Sequence, residues 1–143
     1  DIPSMLDYQV HIEKDSMFNT PPVFPIYVSM LNLQWLKKNG GINWIEKVNK
    51  RKALKLYQEI DRNKLFEGLA NINDRSIMNA TFKLKNNNHQ ESFDLICVKK
   101  GINGLKGHRS VGGYRASMYN ALNEESIDVL IEIMQQIEKE NND

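Results

Sequence analysis

The sequence has little cysteine, no long apolar run and almost no net charge, and each shortage excludes a class of protein. Cys97 is the only cysteine, so neither a disulfide framework nor a cysteine-based metal site can form within the chain. No stretch approaches the ~20 apolar residues that a membrane-spanning helix needs, and no charged-then-apolar signal peptide opens the chain. These shortages predict a protein of the reducing cytoplasm without a membrane segment.

The charges nearly cancel, which argues against a general affinity for anions. Nineteen basic against eighteen acidic side chains leave a formal net charge of +1, so no overall field attracts nucleic acid or an anionic membrane. The basic residues from Lys47 to Lys55 form a local cluster, but no aromatic residue interleaves it for base stacking. We therefore interpret the cluster as a solvated helix face. Lys52 belongs to this cluster, but it also lies at helical spacing with Ile45, Val48, Leu56 and Ile60, which trace one face of the same helix.

The remaining reactive side chains show no metal-binding or nucleophilic pattern. No two histidines are four residues apart, as in a helical metal site, and His11 and His89 offer no evident partner or role. Cys97 lies among apolar residues of a predicted helix, where we expect a buried thiol that behaves as a small hydrophobe. The sequence predicts neither a metal ion nor cysteine chemistry.

The length and pattern predict one small domain built of helices and a sheet. The hydrophobic content of 41% is typical of a globular protein. Two periodicities occur along the chain, one typical of helices and one of strands. The predicted helices are 23–39, 43–60, 88–100 and 123 onward, and the predicted strands are 75–84, 114–119 and, more weakly, 102–106. This order predicts an α/β fold of two layers (α+β), in which helices pack on a small, mainly antiparallel sheet.

Local signals add detail to these elements. Asn43 is the predicted N-cap of the second helix, and Asn123 is that of the last one. The alternation of the strand at 114–119 places Arg115 on the side away from the apolar face. The predicted buried stripe of the last helix consists of Ile127, Leu130, Ile131 and Met134.

The run from Gly107 to Ser117 carries the clearest chemical signal. His108 and Arg109 precede a Gly-Gly turn, and Arg115 follows it. A guanidinium is a planar fork that binds a carboxylate or phosphate through two hydrogen bonds, and glycine lets the backbone bend and approach a ligand. The run therefore predicts a small ligand with two acidic groups. The alternative is that both arginines pair with surface acids while His108 caps a backbone carbonyl.

A second, weaker signal lies before the first long helix. Asn19 and Thr20 precede two prolines and the predicted helix start. Free amides at a helix N-terminus, joined by hydroxyl and carboxamide side chains, can hold a phosphate. The alternative is an ordinary N-cap that binds no ligand.

Several separated segments, in the right order, closely resemble the phosphoserine aminotransferase family. They are Asp15 to Pro22, Trp35-Leu36-Lys37 with Gly40-Gly41, Arg75 to Asn79, and Leu105 to Ala121. The resemblance covers nearly the whole chain. It implies a fold type I, aspartate-aminotransferase-like enzyme that uses pyridoxal 5'-phosphate. Residues 23–143 would be the C-terminal small domain and residues 1–22 the end of the large domain and the cofactor-phosphate segment.

The resemblance also implies an activity. The family transfers an amino group from glutamate to 3-phosphohydroxypyruvate, giving O-phosphoserine and 2-oxoglutarate for serine biosynthesis, and in many bacteria it serves pyridoxine biosynthesis too. The expected assembly is a cytoplasmic homodimer with active sites shared across its interface. Two alternatives stay open at this point: a regulatory module that binds an amino acid without catalysis, and a nucleic-acid-binding domain.

The same resemblance assigns roles to individual residues. Arg115 matches the arginine that holds the substrate α-carboxylate. His108 and Arg109 match residues that hold the phosphate, or the side-chain carboxylate of glutamate, in the neighbouring subunit's site. Asn19 and Thr20 match the pair that reaches the cofactor phosphate across the dimer.

The lysine that forms the Schiff base lies upstream in the family. The resemblance therefore implies no catalytic residue in this segment and gives Lys106, beside the glycine run, no such role. We expect the segment to be inactive as a transaminase on its own.

Overall fold

The computed structural model of the chain describes residues 2–141. Within that range the chain forms two compact units, of which one reaches to Gly41 and the other begins at Ile42. The first unit consists of short helical turns and one long helix, whereas the second contains the sheet and the hydrophobic core.

The first unit is helical, although its opening residues show no sustained period. A 3-10 turn at Ser4–Leu6 precedes helix α1 (Tyr8–Glu13), whose N-cap Asp7 accepts the Gln9 N–H at 3.0 Å. Contrary to expectation, His11 has partners: its Nε2 lies 2.9 Å from the Met5 carbonyl oxygen, and its ring meets Phe18 edge-on. Helix α2 (Val23–Lys38) ends within one residue of its predicted end, and none of its side chains is buried in this structure.

Three helices of the second unit pack on its sheet. They are α3 (Gly41–Arg62), α4 (Gln90–Lys99) and α5 (Glu124–Glu140). The prediction of Asn43 as an N-cap is wrong, because α3 begins directly at Gly41, where a φ of +71° turns the chain into the helix. Asn123 does occupy the N-cap position of α5, but its side chain makes no capping hydrogen bond.

The sheet has three antiparallel strands in the order of the sequence, which confirms the predicted fold class. They are β1 (Phe66–Gly68), β2 (Asn79–Leu84) and β3 (Tyr114–Ser117). Sequence patterns missed β1, which has only three residues. The weak strand predicted at 102–106 does not form, and that segment contributes a single bridge from Lys106 to Tyr114.

The strand predicted from residue 75 begins at Asn79 instead, because the residues before it form a turn. Ser76 Oγ accepts the N–H groups of Met78 and Asn79, both at 3.1 Å. Arg75 binds the Asp61 carboxylate through two bonds of 2.7 and 2.6 Å, and its guanidinium lies 4.6 Å from the centre of the Tyr57 ring. The segment before β2 is therefore fixed to α3.

The core lies between one face of the sheet and the three helices. An aromatic cluster forms its centre, with ring centroids 5.0 to 5.9 Å apart in the pairs formed by Phe66, Phe82, Phe93 and Tyr114. Ile127, Leu130 and Met134 are buried as predicted, but Ile131 is only half-buried. The stripe continues instead through Ile133 and Ile137, which the prediction omitted.

The basic cluster of α3 faces solvent as predicted at Lys47, Lys50 and Arg51, but Lys52 is an exception. Lys52 is fully buried, and its Nζ donates to backbone carbonyls. Its basic neighbours form ion pairs within the chain: Lys50 with Glu46, Arg51 with Glu124, and Lys55 with Glu124 and Asp128. Arg51 and Lys55 thus connect α3 to the start of α5.

Candidate functional site

The loop between Gly107 and Gly113 is closed by its own backbone. The Gly107 N–H donates to the Gly113 carbonyl at 2.9 Å, and the His108 carbonyl accepts the N–H groups of Val111 and Gly112 at 3.0 and 2.9 Å. Gly113 has a φ of +65°, and a Cβ there would lie 2.7 Å from the Phe82 carbonyl oxygen. Only glycine lets the loop lie this close to β2.

His108 and Arg109 stand exposed on this loop. The ring Nδ1 of His108 lies 2.7 Å from Ser110 Oγ and accepts the Ser110 N–H at 3.3 Å, so Ser110 rather than a backbone carbonyl orients the ring. No hydrogen bond of Nε2 occurs within the described part of the chain. Arg109 forms no ion pair with any acid of residues 2–141.

Arg115 lies in β3, directly opposite Thr81 of β2. Its neighbours Tyr114 and Ala116 are buried while Arg115 is exposed, which confirms the predicted alternation. The Arg115 N–H donates to the Leu105 carbonyl at 2.7 Å, so the backbone is held on both sides of the strand. The guanidinium has no acidic partner within the described part of the chain, in contrast to the surface pairing that the alternative interpretation required.

An open cavity of about 420 Å³ adjoins Arg115. It lies between the loop after α4, strand β3 and the start of α5. Its polar residues are Lys100, Asn103, Arg115, Ser117 and Ser126, and its apolar ones include Ile102, Leu105, Leu122, Ile127 and Leu130. Apolar walls with a few convergent polar groups are typical of sites for small ligands.

Asp94 of α4 ties the base of this loop to the core, a contact that no sequence motif indicated. The Tyr114 hydroxyl donates to Asp94 Oδ1 at 2.9 Å, and Lys106 Nζ lies 3.1 Å from Asp94 Oδ2. Burial and the Asp94 carboxylate raise the pKa of Tyr114, so it stays a neutral donor. Lys106 is thus an exposed partner of an ion pair.

Asn19 and Thr20 lie exposed before α2, in the other compact unit. The N-cap position of α2 belongs to Pro22, and no side chain caps this helix. The ordinary capping role, which was the alternative interpretation, is therefore not observed. The first amides of α2, on Val23 and Phe24, also have no acceptor within the helix.

The other reactive groups give no competing site. Burial raises the pKa of the Cys97 thiol to about 11, so it is not an activated nucleophile. Within residues 2–141, no three histidine, cysteine or acidic side chains are grouped so as to hold a metal ion. None of the helices in that range has the length and apolar character required to cross a bilayer.

Comparison with known families gives a match over most of the sequence. Residues 1–130 match the model of the class-V aminotransferases. This match covers the loop from Gly107 to Gly113, strand β3, and the residues before α2.

Curated relatives with high sequence identity carry one common name. The chain is 65% identical to the phosphoserine aminotransferase of Flavobacterium psychrophilum and 59% identical to that of Flavobacterium johnsoniae, over 137 residues in each case. Each alignment covers 96% of this chain but only 38% of the relative. The chain therefore spans about two fifths of the length of these relatives.

Solved structures show the same similarity in three dimensions. Phosphoserine aminotransferase from Bacillus circulans subsp. alkalophilus superposes with a TM-score of 0.87 at 37% identity, covering 98% of this chain and 39% of that one. The pyridoxal-phosphate-bound enzyme from Trichomonas vaginalis gives 0.80 at 36% identity, covering 94% and 39%. The fold of the chain is thus that of the corresponding part of these aminotransferases.

Proposed function

Because the chain belongs to the class-V aminotransferase family, we propose that it is the C-terminal part of a phosphoserine aminotransferase. Its similarity to enzymes of that name extends over nearly all of its length. The complete reaction would belong to a longer polypeptide, which also supplies the Schiff-base lysine. Family membership favours a transferase over a regulatory amino-acid-binding module or a nucleic-acid-binding domain.

The proposed reaction transfers an amino group from glutamate to 3-phosphohydroxypyruvate and yields O-phosphoserine and 2-oxoglutarate. Each of these molecules carries an α-carboxylate and a second anionic group, either a phosphate or another carboxylate. The reaction would serve serine biosynthesis in the cytoplasm and, as in many bacteria, pyridoxine biosynthesis. A site for it needs two separate cationic groups.

The observation that carries the proposal is the unpaired guanidinium of Arg115. Nine ion pairs occur within residues 2–141, and Arg115 takes part in none of them. Its backbone is held by β2 on one side and by Leu105 on the other. We assign it the substrate α-carboxylate, which it would bind through two parallel hydrogen bonds. Fixing that carboxylate also fixes the orientation of the Cα–H bond to be broken.

His108 and Arg109 are the proposed ligands of the second anion. They stand on the rigid loop before β3, and Ser110 orients the imidazole. Their proposed substrate lies in the active site of a second copy of the chain, so that each homodimer site would use Arg115 of one subunit and this pair of the other. The Arg109 guanidinium and the His108 imidazole would then bind the substrate phosphate together.

Asn19 and Thr20 fit the phosphate of pyridoxal 5'-phosphate. Neither has a hydrogen-bond partner within the described residues, and the free amides of Val23 and Phe24 follow closely in the chain. A carboxamide, a hydroxyl and helix N-terminal amides form a donor set suited to a phosphate. When bound, this cofactor supplies the electron sink of the reaction. The two residues would hold its phosphate in the neighbouring subunit's site.

We further assign residues 1–22 to the end of the large domain, including the cofactor-phosphate segment, and residues 23–143 to the C-terminal small domain. The compact units of this chain divide at Gly41. The proposed domain boundary therefore places helix α2 in the small domain, whereas the division into compact units places it with residues 1–22.

The proposal is tested by an assay of the longer polypeptide and of the present chain in parallel. Reconstituted with pyridoxal phosphate, the longer polypeptide should convert glutamate and 3-phosphohydroxypyruvate to 2-oxoglutarate and O-phosphoserine, while residues 1–143 alone should not. A longer polypeptide that transaminates other amino acids but leaves 3-phosphohydroxypyruvate untouched would contradict the assigned substrate.

A further inference from the structure

Lys52 is a buried cation whose partners are all backbone carbonyls. Its side chain is 0% exposed, and its Nζ lies 3.2 Å from the carbonyl oxygen of Met118, 2.8 Å from that of Tyr119 and 3.1 Å from that of Leu122. An ammonium group has three N–H donors, so the three acceptors match it completely. Burying a charged group costs free energy unless it is fully hydrogen-bonded. The three carbonyl acceptors are therefore what allows Lys52 to be buried.

The three carbonyls belong to the connection between β3 and α5, and α3 holds that connection at other points too. One turn before Lys52, the Asn49 amide donates to Asn120 Oδ1 at 2.8 Å. One turn after it, Lys55 Nζ lies 3.2 Å from Oε1 of Glu124, the residue of α5 at which the connection ends. We call residues 118–122 the exit segment of β3.

The exit segment continues directly from the strand that carries Arg115. Strand β3 has only four residues, and Arg115 lies three residues before the first carbonyl that Lys52 binds. The Met118 N–H donates to the Met78 carbonyl at 2.7 Å, so the strand and its exit form one hydrogen-bonded path. Because the guanidinium of Arg115 has no ion-pair partner among residues 2–141, its position depends on this backbone.

We propose that Lys52 is a positioning residue for Arg115: its three hydrogen bonds fix the exit segment of β3 and thereby the place at which Arg115 meets the substrate carboxylate. The inference rests on the proposed function of Arg115 and extends it to a residue outside the site. A displacement of about 1 Å can cost up to about a hundredfold in rate, so a distant residue can matter greatly.

A double-mutant cycle in the longer polypeptide tests this coupling. Lys52→Met keeps about the length of the side chain and removes its donors, and it should lower kcat/KM for both substrates by roughly tenfold. In the Arg115→Lys background the same substitution should have little further effect, because coupled residues are not additive. The matched control, Lys47→Met, changes an exposed lysine of the same helix. Equal losses from Lys52→Met in both backgrounds would overturn the proposal, since a purely structural role acts independently of Arg115.

Amide hydrogen exchange on the 143-residue chain gives a second measurement that needs no activity. Lys52→Met should accelerate exchange at Arg115, Met118 and Leu122 more than at Leu69, whose N–H donates to the Thr81 carbonyl away from the exit segment. If Lys52→Met does not fold, Lys52→Gln, which keeps two N–H donors, takes its place with a smaller expected change. Equal acceleration at all four amides would overturn the proposal. A wild-type enzyme without transaminase activity would instead refute the proposed function, and the exchange pattern would still decide the role of Lys52.

Discussion

The Gly107 N–H donates to the Gly113 carbonyl at 2.9 Å, and this bond closes the loop that carries His108 and Arg109. The closure requires a backbone that only glycine adopts easily, because Gly113 has a positive φ and lies against the Phe82 carbonyl. The loop is thus closed through its backbone, whereas the Arg109 side chain forms no ion pair within residues 2–141.

Substitution of the two adjacent glycines should distinguish the cost of a positive φ from the cost of a steric clash with β2. Gly112 and Gly113 both have a positive φ, but a Cβ at Gly112 meets nothing within 4 Å. Gly112→Ala should lower the free energy of unfolding by about 1–2 kcal/mol, and Gly113→Ala by roughly 1–3 kcal/mol more. Urea denaturation of both variants measures this difference. Equal destabilisation would show that the loop does not lie against β2 as described.

The stability of the chain should fall in acid because of a polar cluster between α3 and α5. Burial alone would raise the pKa of both Glu59 and Glu138, but hydrogen bonds outweigh it and lower both values below the usual 4.5. For Glu59 these bonds come from Arg62, Asn63 and Gln135, and for Glu138 they come from the Lys64 N–H and Arg62.

A carboxylate with a lowered pKa in the folded state stabilises the fold above its unfolded pKa, and this contribution is lost as the pH falls through the folded value. We therefore expect the free energy of unfolding to be constant near neutrality and to decline below about pH 4.5. Glu59→Gln should flatten this decline, whereas Glu132→Gln, at an exposed position of α5, should leave it unchanged. Identical pH profiles for the wild type and Glu59→Gln would refute the role of the cluster.

Cys97 should be almost inert in the folded chain. Its pKa of about 11 leaves only about a thousandth of the thiol ionised at pH 8, and the side chain is buried in α4. Reaction with an aromatic disulfide reagent should be at least about a hundred times slower than in the urea-unfolded chain. The release of the coloured thiolate follows this rate, and a fast reaction in the native state would contradict the burial of Cys97.

The sequence predicted the elements whose periodicity is long and regular. In helices α2 and α5 and strands β2 and β3, the spacing of apolar residues matches the period of the element that forms. The exposure of Arg115 could therefore be predicted from the apolar residues Tyr114 and Ala116 on either side of it. Strand β1 was not predicted, because a strand of three residues that includes Gly68 is too short to show an alternation of apolar and polar residues. Its place in the sheet depends on pairing with β2, about 16 residues along the chain.

The errors at α3 have a different cause. Lys52 resembles its solvated neighbours in sequence, and its burial depends on carbonyls 66 to 70 residues away. The role of Asp94 at the base of the glycine loop is equally non-local, since its partners lie on β3 and beside it. For the candidate site, the sequence indicated which residues carry charge, but it could not indicate which contacts hold them in place.

The most direct test of the central claim compares Arg109→Ala with Arg115→Ala in the longer polypeptide by steady-state kinetics with each substrate. Loss of Arg115 should lower kcat/KM for glutamate and for the phosphorylated substrate alike, because both present an α-carboxylate. Loss of Arg109 should lower kcat/KM for 3-phosphohydroxypyruvate by roughly one to two orders of magnitude and for glutamate by less, because a phosphate carries more negative charge and more acceptor oxygens than the second carboxylate of glutamate. Lys47→Ala, which removes an exposed cation of α3, serves as the control. Equal losses for both substrates in Arg109→Ala would contradict the assignment of the substrate phosphate to Arg109.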